Sequence, residues 1–222
     1  MKKFAIIFTV GFFCSSVFAQ GKGTLEGKVK IKSKGVFGKK GYKKNRSNVV
    51  IFIEDYRPKK RKKERKTLKQ KNKKFKPRVL PIVQGGIVSF PNSDPYNHNV
   101  FSPTPGRKFD LDYYGYGKTK KVRFKKTGSV RIYCNIHSSM VADVLVVPNR
   151  YYAKTKKSGK FKIKGIPPGK YTVVAWQPTG ASEKRNVVIK PGKTTKANFT
   201  VVETVFKIKH KNKYGKAYAK DY

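Results

Sequence analysis

The chain contains few residues that bind soft metals. Its 222 residues include only two Cys, two Met and three His. We expect Met1 and Cys14 to leave with an N-terminal leader, so the mature protein keeps one cysteine, Cys134. A single cysteine excludes an internal disulfide. Stability must therefore come from a packed core, although an oxidising compartment would permit disulfides.

The leader is predicted over residues 1–19. It begins with two lysines, continues with a mostly apolar run and ends in the small residue Ala19, which is typical of a secretory signal peptide. No later run is long enough for a membrane span. A lipid anchor at Cys14 is the alternative, which the bulky Phe13 beside it disfavours. We therefore expect a periplasmic or secreted protein without a transmembrane segment.

Acidic residues are also scarce. Asp and Glu number 11 against 54 Lys and Arg, and the formal net charge is +43. It falls to +41 once the two leader lysines are lost. A lysine-rich coding bias would normally raise Glu as well, so we predict a surface that attracts anions. Export makes nucleic acid an unlikely partner. We expect an acidic protein, an anionic membrane surface or an acidic polysaccharide.

Two segments carry much of the positive charge. Thirteen of the twenty residues 57–76 are Lys or Arg, and such a block repels itself and buries no core. We predict a flexible basic loop over residues 57–69, with a helix formed only on an anionic surface as the alternative. Residues 203–222 are predicted to be a mobile basic tail. In it His210 is expected to be solvated rather than a metal ligand.

Gly and Pro between β-branched and aromatic runs indicate an all-β fold. Residues 75–83 and 87–90, joined by a Gly-Gly turn, are predicted to form a hairpin that delivers residues 92–98 as a loop. Further strands are predicted over residues 24–31, 48–54, 121–124, 128–133, 141–147, 183–189 and 195–202.

The scarce metal ligands concentrate in one stretch. Cys134, His137 and Met140 lie within seven residues, and His98 is available as a second imidazole. One thiolate, two imidazoles and a weak thioether suit a single copper ion in a trigonal site with a long axial Met. The alternative is that Cys134 and Met140 are ordinary core residues and His137 a surface residue.

Other types of site fit these residues less well. A binuclear copper site requires two thiolates, and multicopper oxidases or copper nitrite reductases require more histidines than His210 supplies. A structural zinc site usually has a stronger fourth ligand than Met140. A Cys–His nucleophile pair is usually assembled from distant segments, unlike Cys134 and His137. We therefore predict that the protein is not an enzyme.

Residues 128–140, with residues 90–94 and 98–102, resemble the cupredoxin family of blue-copper proteins. The spacing Cys-x2-His-x2-Met is the short ligand loop seen in amicyanin. The resemblance covers about residues 70–148 and implies a Greek-key β-sandwich. One departure is Ser138, where amicyanin-like loops carry Pro, and it implies a less rigid loop and a shifted potential.

The resemblance also assigns roles to individual residues. It implies that His98, Cys134 and His137 bind one type 1 copper ion, with Met140 as the weak axial ligand. Asn99 would hydrogen-bond across to the Cys-bearing loop and so orient the ligands. The edge of His137 would reach the surface and pass electrons.

Residues 158–175 resemble a second family, the carboxypeptidase regulatory-like or transthyretin-like β-sandwich module. The features that open this module occur much earlier, at residues 27–29 and 49–53. Our hypothesis is that the cupredoxin domain is inserted between two halves of one small Ig/transthyretin-like sandwich, residues 20–56 and 149–202. The alternative is that residues 49–53 form the first cupredoxin strand.

Together these interpretations predict an exported blue-copper protein that carries single electrons between periplasmic partners. The positive charge indicates an acidic redox protein as the partner. The alternative is a copper-holding or structural envelope module whose basic surface binds anionic partners. The regulatory-like module favours neither function, because folds of this kind serve as scaffolds for many functions.

Overall fold

A computed structural model describes residues 21–34, 40–59, 63–204 and 210–218. All regular secondary structure within these ranges is β-strand, which confirms the predicted all-β class. No helix in the described part of the chain is long and apolar enough to cross a membrane. The predicted signal peptide and Cys14 lie outside the described residues.

The described residues form twenty strands. They are β1 (Gly23–Lys34), β2 (Lys40–Tyr42), β3 (Val50–Ile53), β4 (Arg65–Thr67), β5 (Lys69–Gln70), β6 (Phe75–Lys76), β7 (Val79–Val83), β8 (Ile87–Pro91), β9 (His98–Ser102), β10 (Phe109–Tyr114), β11 (Thr119–Arg123), β12 (Gly128–Tyr133), β13 (Val141–Val147), β14 (Tyr152–Lys154), β15 (Lys160–Ile166), β16 (Gly169–Trp176), β17 (Gly180–Ala181), β18 (Glu183–Ile189), β19 (Thr194–Lys196) and β20 (Phe199–Thr204).

Strands from the two ends of the chain form one β-sandwich, which we call the terminal sandwich. In its first sheet, β1 lies between β15, with which it pairs antiparallel, and β20, with which it pairs in parallel. Three short strands extend this sheet, since β2 and β19 also pair with β1 and β17 pairs with β20. In its second sheet β3 lies between β14 and β16, and β18 is next to β16. The observed partners of β3 therefore come after residue 148, which is the pairing that the insertion hypothesis requires.

The core of the terminal sandwich follows from alternation along its strands. In β1, Leu25, Val29 and Ile31 are buried while Lys28 and Lys30 between them are exposed, as expected for a strand with one face on a core. Gly27 takes the remaining inward position. A Cβ there would lie 1.8 Å from the Ala197 carbonyl oxygen, so the crossing of the chain at this point requires glycine.

The intervening residues 63–148 form a second β-sandwich, which we call the inserted sandwich. One sheet has the strand order β10-β9-β12-β13-β7 and the other the order β11-β8-β4. Apolar side chains from both sheets fill the space between them, including Phe90, Val100 and Ile132. β5 and β6 form a small separate ribbon.

The predicted hairpin of residues 75–83 and 87–90 is wrong. β7 pairs in parallel with β13, whereas β8 pairs with β11 and β4 in the other sheet. The turn at Gly85 and Gly86 therefore carries the chain from one sheet to the other. All five residues of β7 are buried, and a strand covered on both faces lies more favourably between two layers than on a solvated hairpin.

The predicted flexible loop over residues 57–69 is wrong for its second half. Residues 65–67 form β4, in parallel with β8, and Leu68 is fully buried. Charged side chains of this segment form hydrogen bonds with β7. Lys66 Nζ donates to the Pro81 carbonyl at 2.6 Å, and Glu64, the one acid in this block, accepts from the amide of Val83 at 2.7 Å. Self-repulsion is therefore offset locally, and the inserted sandwich begins before residue 70.

Replacing Leu68 with alanine tests whether this basic segment is part of the core. We expect the free energy of unfolding to fall by about 3 kcal/mol, because a buried leucine is lost and leaves a cavity. Lys69→Ala is the matched control, since the neighbouring Lys69 is exposed, and it should change stability by less than about 0.5 kcal/mol. Equal effects in denaturant unfolding would contradict the packed arrangement.

The two sandwiches share an apolar interface. The side of the five-stranded sheet that faces away from the inserted core presents Val79 and Leu145, and these pack on Val50, Phe52 and Trp176 of the terminal sandwich. Beside them the fully buried carboxylate of Asp143 accepts from both Arg78 and Arg131, and Arg131 also donates to the Pro178 carbonyl at 2.9 Å. The inserted sandwich is therefore packed against its host.

Candidate metal centre

The predicted ligands lie where two neighbouring strands end. β9 begins at His98, and β12 ends one residue before Cys134. The two strands pair where Phe101 faces Tyr133, so the start of one strand and the end of the other meet at the same end of the sheet. Successive side chains alternate between faces, and His98 and Cys134 both belong to the inner face of the inserted sandwich.

The structure brings three of the four predicted ligands together. The donor atoms of His98, Cys134 and His137 all lie within 4.8 Å of one another. Cys134 Sγ is 3.9 Å from Nδ1 of His98 and 3.9 Å from Nδ1 of His137. Bonds of about 2.0 Å to nitrogen and about 2.3 Å to sulfur, at about 120°, would separate those atoms by about 3.7 Å. The donor set therefore fits one metal ion with little rearrangement.

Met140 closes the loop that carries two of these ligands. Its amide donates to the His137 carbonyl at 3.0 Å, and its own carbonyl accepts from the amide of Cys134 at 3.2 Å. The side chain is fully buried and packs in the same apolar cluster as Cys134. We call residues 134–140 the ligand loop. Its backbone hydrogen bonds tie the main chain of the predicted axial ligand, Met140, to the main chain of Cys134.

Burial divides the two histidines. His98 is fully buried, whereas His137 is half-buried. Their rings meet edge to face with centroids 5.0 Å apart, and the ring of Tyr96 lies 5.3 Å from His98 and 5.9 Å from His137. Tyr96 therefore covers both imidazoles from one side, a role that the sequence did not suggest.

Asp94 fixes the orientation of His98. Nε2 of His98 lies 2.8 Å from the buried Asp94 carboxylate, so Nε2 carries the proton and Nδ1 is left to face Cys134. The same carboxylate accepts from the amides of Asn72 at 2.6 Å and Lys73 at 3.0 Å. A carboxylate behind a ligating imidazole is a common way to hold a metal ligand in place. The only sequence signal was an acid four residues before His98.

The thiol and the buried imidazole are electrostatically coupled. Burial raises the pKa of Cys134, but in the metal-free protein the protonated His98 ring can also donate through Nδ1, a proton that a metal ion would displace. This bond, together with those from three backbone amides, outweighs burial and brings the pKa of Cys134 below its usual value. Burial lowers the pKa of His98, but its bonds to Cys134 and Asp94 raise the pKa above its usual value. The surroundings therefore favour the thiolate, which is the form that binds metals.

The role predicted for the Asn99 side chain is wrong. Its amide nitrogen donates to Asp110 at 2.6 Å rather than to the ligand loop. The reason is alternation along β9, since His98 faces the inner core and Asn99 therefore faces the outer side of the sheet. The backbone amide of Asn99, not its side chain, contributes a hydrogen bond to the Cys134 sulfur.

The predicted solvated position of His210 is also wrong. Its ring stacks on Tyr133 with centroids 4.1 Å apart, and its Nε2 lies 2.8 Å from the Ser138 carbonyl oxygen. The described part of the tail, residues 210–218, thus packs beside the ligand loop. Nothing in the composition of this lysine-rich tail suggested that contact.

Comparisons with known proteins match parts of the chain. The family described as polysaccharide lyase family 4, domain II, matches residues 139–197, and no curated protein matches. Similar solved structures include a copper-containing nitrite reductase from Thermus scotoductus (25% identity, 36% of this chain and 21% of that chain, TM-score 0.35). A second is the reduced state of an amicyanin mutant (18% identity, 36% of this chain and 79% of that chain, TM-score 0.34). A third is a purple cupredoxin from Nitrosopumilus maritimus (26% identity, 34% of this chain and 83% of that chain, TM-score 0.31).

These likenesses are partial. The chain spans about a fifth of the nitrite reductase, and each of the three solved structures covers about a third of this chain. What indicates the metal is therefore the donor set itself. One thiolate and two imidazoles, gathered from two segments 36 residues apart, form a site suited to copper.

Proposed function

We propose that this protein is a mononuclear type 1 copper protein that carries single electrons. Cys134, His98 and His137 are its ligands, and Met140 is the weak axial ligand. The observation that carries the proposal is the convergence of one sulfur and two imidazole nitrogens within 4.8 Å, in an environment that favours the thiolate. Trigonal sites of this composition are the blue-copper electron-transfer sites.

The residues around the site support fast electron transfer without chemistry on a substrate. Copper, when bound, supplies a reversible one-electron couple. Cys134 and His98 are fully buried, so water is kept from that side of the site, while the half-buried His137 lies towards the surface. Asp94 and the backbone amides hold both donors, and a site that moves little between oxidation states exchanges electrons at a low reorganisation cost.

We propose a carrier rather than an enzyme. His210, the remaining histidine, bonds to the Ser138 carbonyl and stacks on Tyr133, and it is therefore engaged in packing rather than available for a second copper. The second candidate function is a copper-holding or structural envelope module. The large positive charge favours it, because a basic surface can bind anionic material whether or not electrons flow.

The proposed electron exit is the exposed surface beside His137. Ile136 and Tyr96 flank it, each 39% exposed, and the amino group of Lys73 lies 5.6 Å from the Tyr96 ring. An apolar and aromatic patch with cations around it suits an acidic redox protein. An anionic membrane surface or polysaccharide would meet the same charges. The leader sequence supports a periplasmic or secreted location.

The terminal sandwich is proposed to be the carboxypeptidase regulatory-like module. The segment that carries that resemblance forms β15 and most of β16, and the earlier features fall in β1 and β3, which pair with those strands. The module would serve as the frame from which the inserted sandwich projects. This arrangement gives the site a rigid support.

Copper titration of the purified mature protein tests the proposed function. We expect one equivalent of Cu(II) to produce an intense blue colour that is lost on reduction and restored on oxidation. Copper binding without that colour, or colour without reversible redox, would favour the copper-holding module. Failure to bind copper at all would contradict both copper functions.

A salt series tests the proposed acidic partner. Deleting residues 57–69 would remove β4 and Leu68, so charge reversal of exposed lysines near the metal end, Lys71→Glu, Lys74→Glu and Lys118→Glu, is the better variant. We expect association with an acidic cytochrome to slow at least about tenfold, and the unmodified protein to slow similarly at high salt, because exposed charges are screened beyond about 8 Å at physiological ionic strength.

The matched control reverses three exposed lysines of the terminal sandwich: Lys170, Lys190 and Lys193. If both triple variants slow association equally, the charge acts through the whole molecule rather than through the metal end. Association rates that are the same at low and high salt would show that the lysines attract no such partner. The visible spectrum should be unchanged in every variant.

A further inference from the structure

Residues 210–218, which we call the C-terminal segment, lie on the outer face of the five-stranded sheet beside the ligand loop. The His210 ring stacks on Tyr133 at an interplanar angle of 26°, and the Tyr218 ring meets His210 edge-on at 5.0 Å. Tyr133 immediately precedes Cys134 in the chain. The segment is therefore packed against the strand that delivers the thiolate.

Three hydrogen bonds join the C-terminal segment to the ligand loop itself. The Tyr218 hydroxyl donates to the main-chain carbonyl of Cys134 at 2.8 Å. Nε2 of His210 lies 2.8 Å from the Ser138 carbonyl oxygen. The third bond runs from the amide of Lys213 to the Asn135 side-chain oxygen at 2.9 Å. The loop is thus held from outside at its first, second and fifth residues.

An ion pair anchors the same segment to β10, which pairs with β9, the strand that carries His98. Lys213 Nζ lies 2.7 Å from the Asp110 carboxylate, and its side chain is only 15% exposed. Asp110 also accepts from the side chain of Asn99, the residue after His98. The C-terminal segment is consequently connected to both parts of the chain that supply ligands.

The sequence of the ligand loop leaves its backbone less restrained than that of similar loops. The amicyanin-like loops that it resembles carry Pro where this chain has Ser138. Proline would fix one backbone dihedral angle at that point, and serine leaves it free. Within the loop, backbone hydrogen bonds join Cys134 to Met140 and Met140 to His137. Restraint from a neighbouring segment would replace what the proline would have provided.

We propose that the C-terminal segment is a positioning element of the metal site. Tyr218 and His210 hold the ligand loop in its metal-binding geometry by bonding the carbonyls of Cys134 and Ser138, and Lys213 fixes the segment in place. This inference rests on the proposed copper function. It makes the tail, which resembles a disordered extension in composition, part of the metal centre.

The position of the segment also predicts the direction of its effect on the potential. The C-terminal segment shields the Cys134 main chain from water and places Lys213 nearby. Both effects disfavour the oxidised site, which carries one more positive charge than the reduced site. Removing the segment should therefore lower the reduction potential of the copper-loaded protein.

The test compares three variants of the full mature chain: a truncation that ends at Lys209, Tyr218→Phe, and Tyr214→Phe as the matched control. Tyr214 lies in the same segment but is 65% exposed. The first readout uses metal-free protein and measures hydrogen exchange of the amides of residues 134–140. We expect exchange to speed up at least tenfold on truncation and about fivefold in Tyr218→Phe, which loses one hydrogen bond. Tyr214→Phe should match the unmodified protein.

The second readout uses copper-loaded protein and measures the rate of copper loss to a chelator together with the reduction potential. We expect about 10- to 100-fold faster loss after truncation, as for removal of other groups behind metal ligands, with a lower potential and the blue colour retained. Unchanged exchange, copper loss and potential in the truncated protein would overturn the inference while leaving the copper function intact. If the unmodified protein bound no copper, the proposed function would fall, and the exchange experiment would still decide whether the segment restrains the loop.

Discussion

Replacing Cys134 with alanine is expected to abolish the blue absorption and nearly all copper affinity. The sulfur lies 3.9 Å from both imidazole nitrogens and belongs to the only cysteine among the described residues, so no other described residue can supply the strong bond or the colour. The loss of affinity should be well above the roughly 10- to 100-fold that follows removal of a residue behind a ligand. Copper titration followed by visible absorption measures both effects.

Met140→Leu is the informative comparison for that variant. Leucine conserves volume at a fully buried position and should cost less than about 1.5 kcal/mol of stability. Because the axial thioether is a weak ligand, the colour should persist while the reduction potential shifts. Equal loss of copper from Cys134→Ala and Met140→Leu would contradict this ranking of the ligands. Denaturant unfolding of both metal-free variants separates loss of copper from loss of fold.

The convergence of His98, Cys134 and His137 could be predicted from the sequence because soft donors are so scarce in it. Cys134, His137 and Met140 share one loop, and only His98 and His210 remained as a second imidazole. Spacing alone could not choose between these two, since both lie far from the loop in sequence. The choice depends on β9 pairing with β12, a contact between segments 32 residues apart that local patterns do not encode.

The pairing of the terminal strands could also be anticipated, because β1 and β3 carry the features that open the module whose remainder follows residue 148. Alternation predicted the strands themselves. It could not tell that β7 and β8 belong to different sheets, because a short turn between two apolar runs is equally compatible with a hairpin and with a crossing between layers.

The predictions for residues 57–69 and for the tail are wrong for a common reason. Composition predicts how a segment behaves alone, and a run of lysines alone repels itself. In the fold, Lys66 meets the Pro81 carbonyl and Lys213 meets Asp110, so a few well-placed acceptors reverse the outcome. Such partners come from distant strands, and no local pattern in the basic runs indicates them.

Asp94 is the residue behind the ligands whose loss should have the largest effect. Asp94→Ala removes the acceptor of the His98 Nε2 proton and leaves a buried imidazole N–H unpaired. The ring is then free to turn or to change tautomer, so that an unprotonated Nδ1 faces Cys134 for only part of the time. We expect copper affinity to fall about 10- to 100-fold, measured by competition with a chelator of known affinity. Asp94→Asn should cost less, because its amide oxygen can still accept one hydrogen bond.

Asp55→Asn provides the control for charge. It removes an exposed carboxylate of the terminal sandwich, away from the C-terminal segment, and it should change copper affinity by less than about twofold. We expect copper affinity to rise from Asp94→Ala to Asp94→Asn to the unmodified protein. This order separates the orientation of His98 from simple loss of a negative charge, because both substitutions remove the charge and only alanine removes the acceptor. If Asp94→Ala and Asp94→Asn weakened copper binding equally, the carboxylate would act through its charge, and the hydrogen bond to His98 would not be what holds the ligand in place.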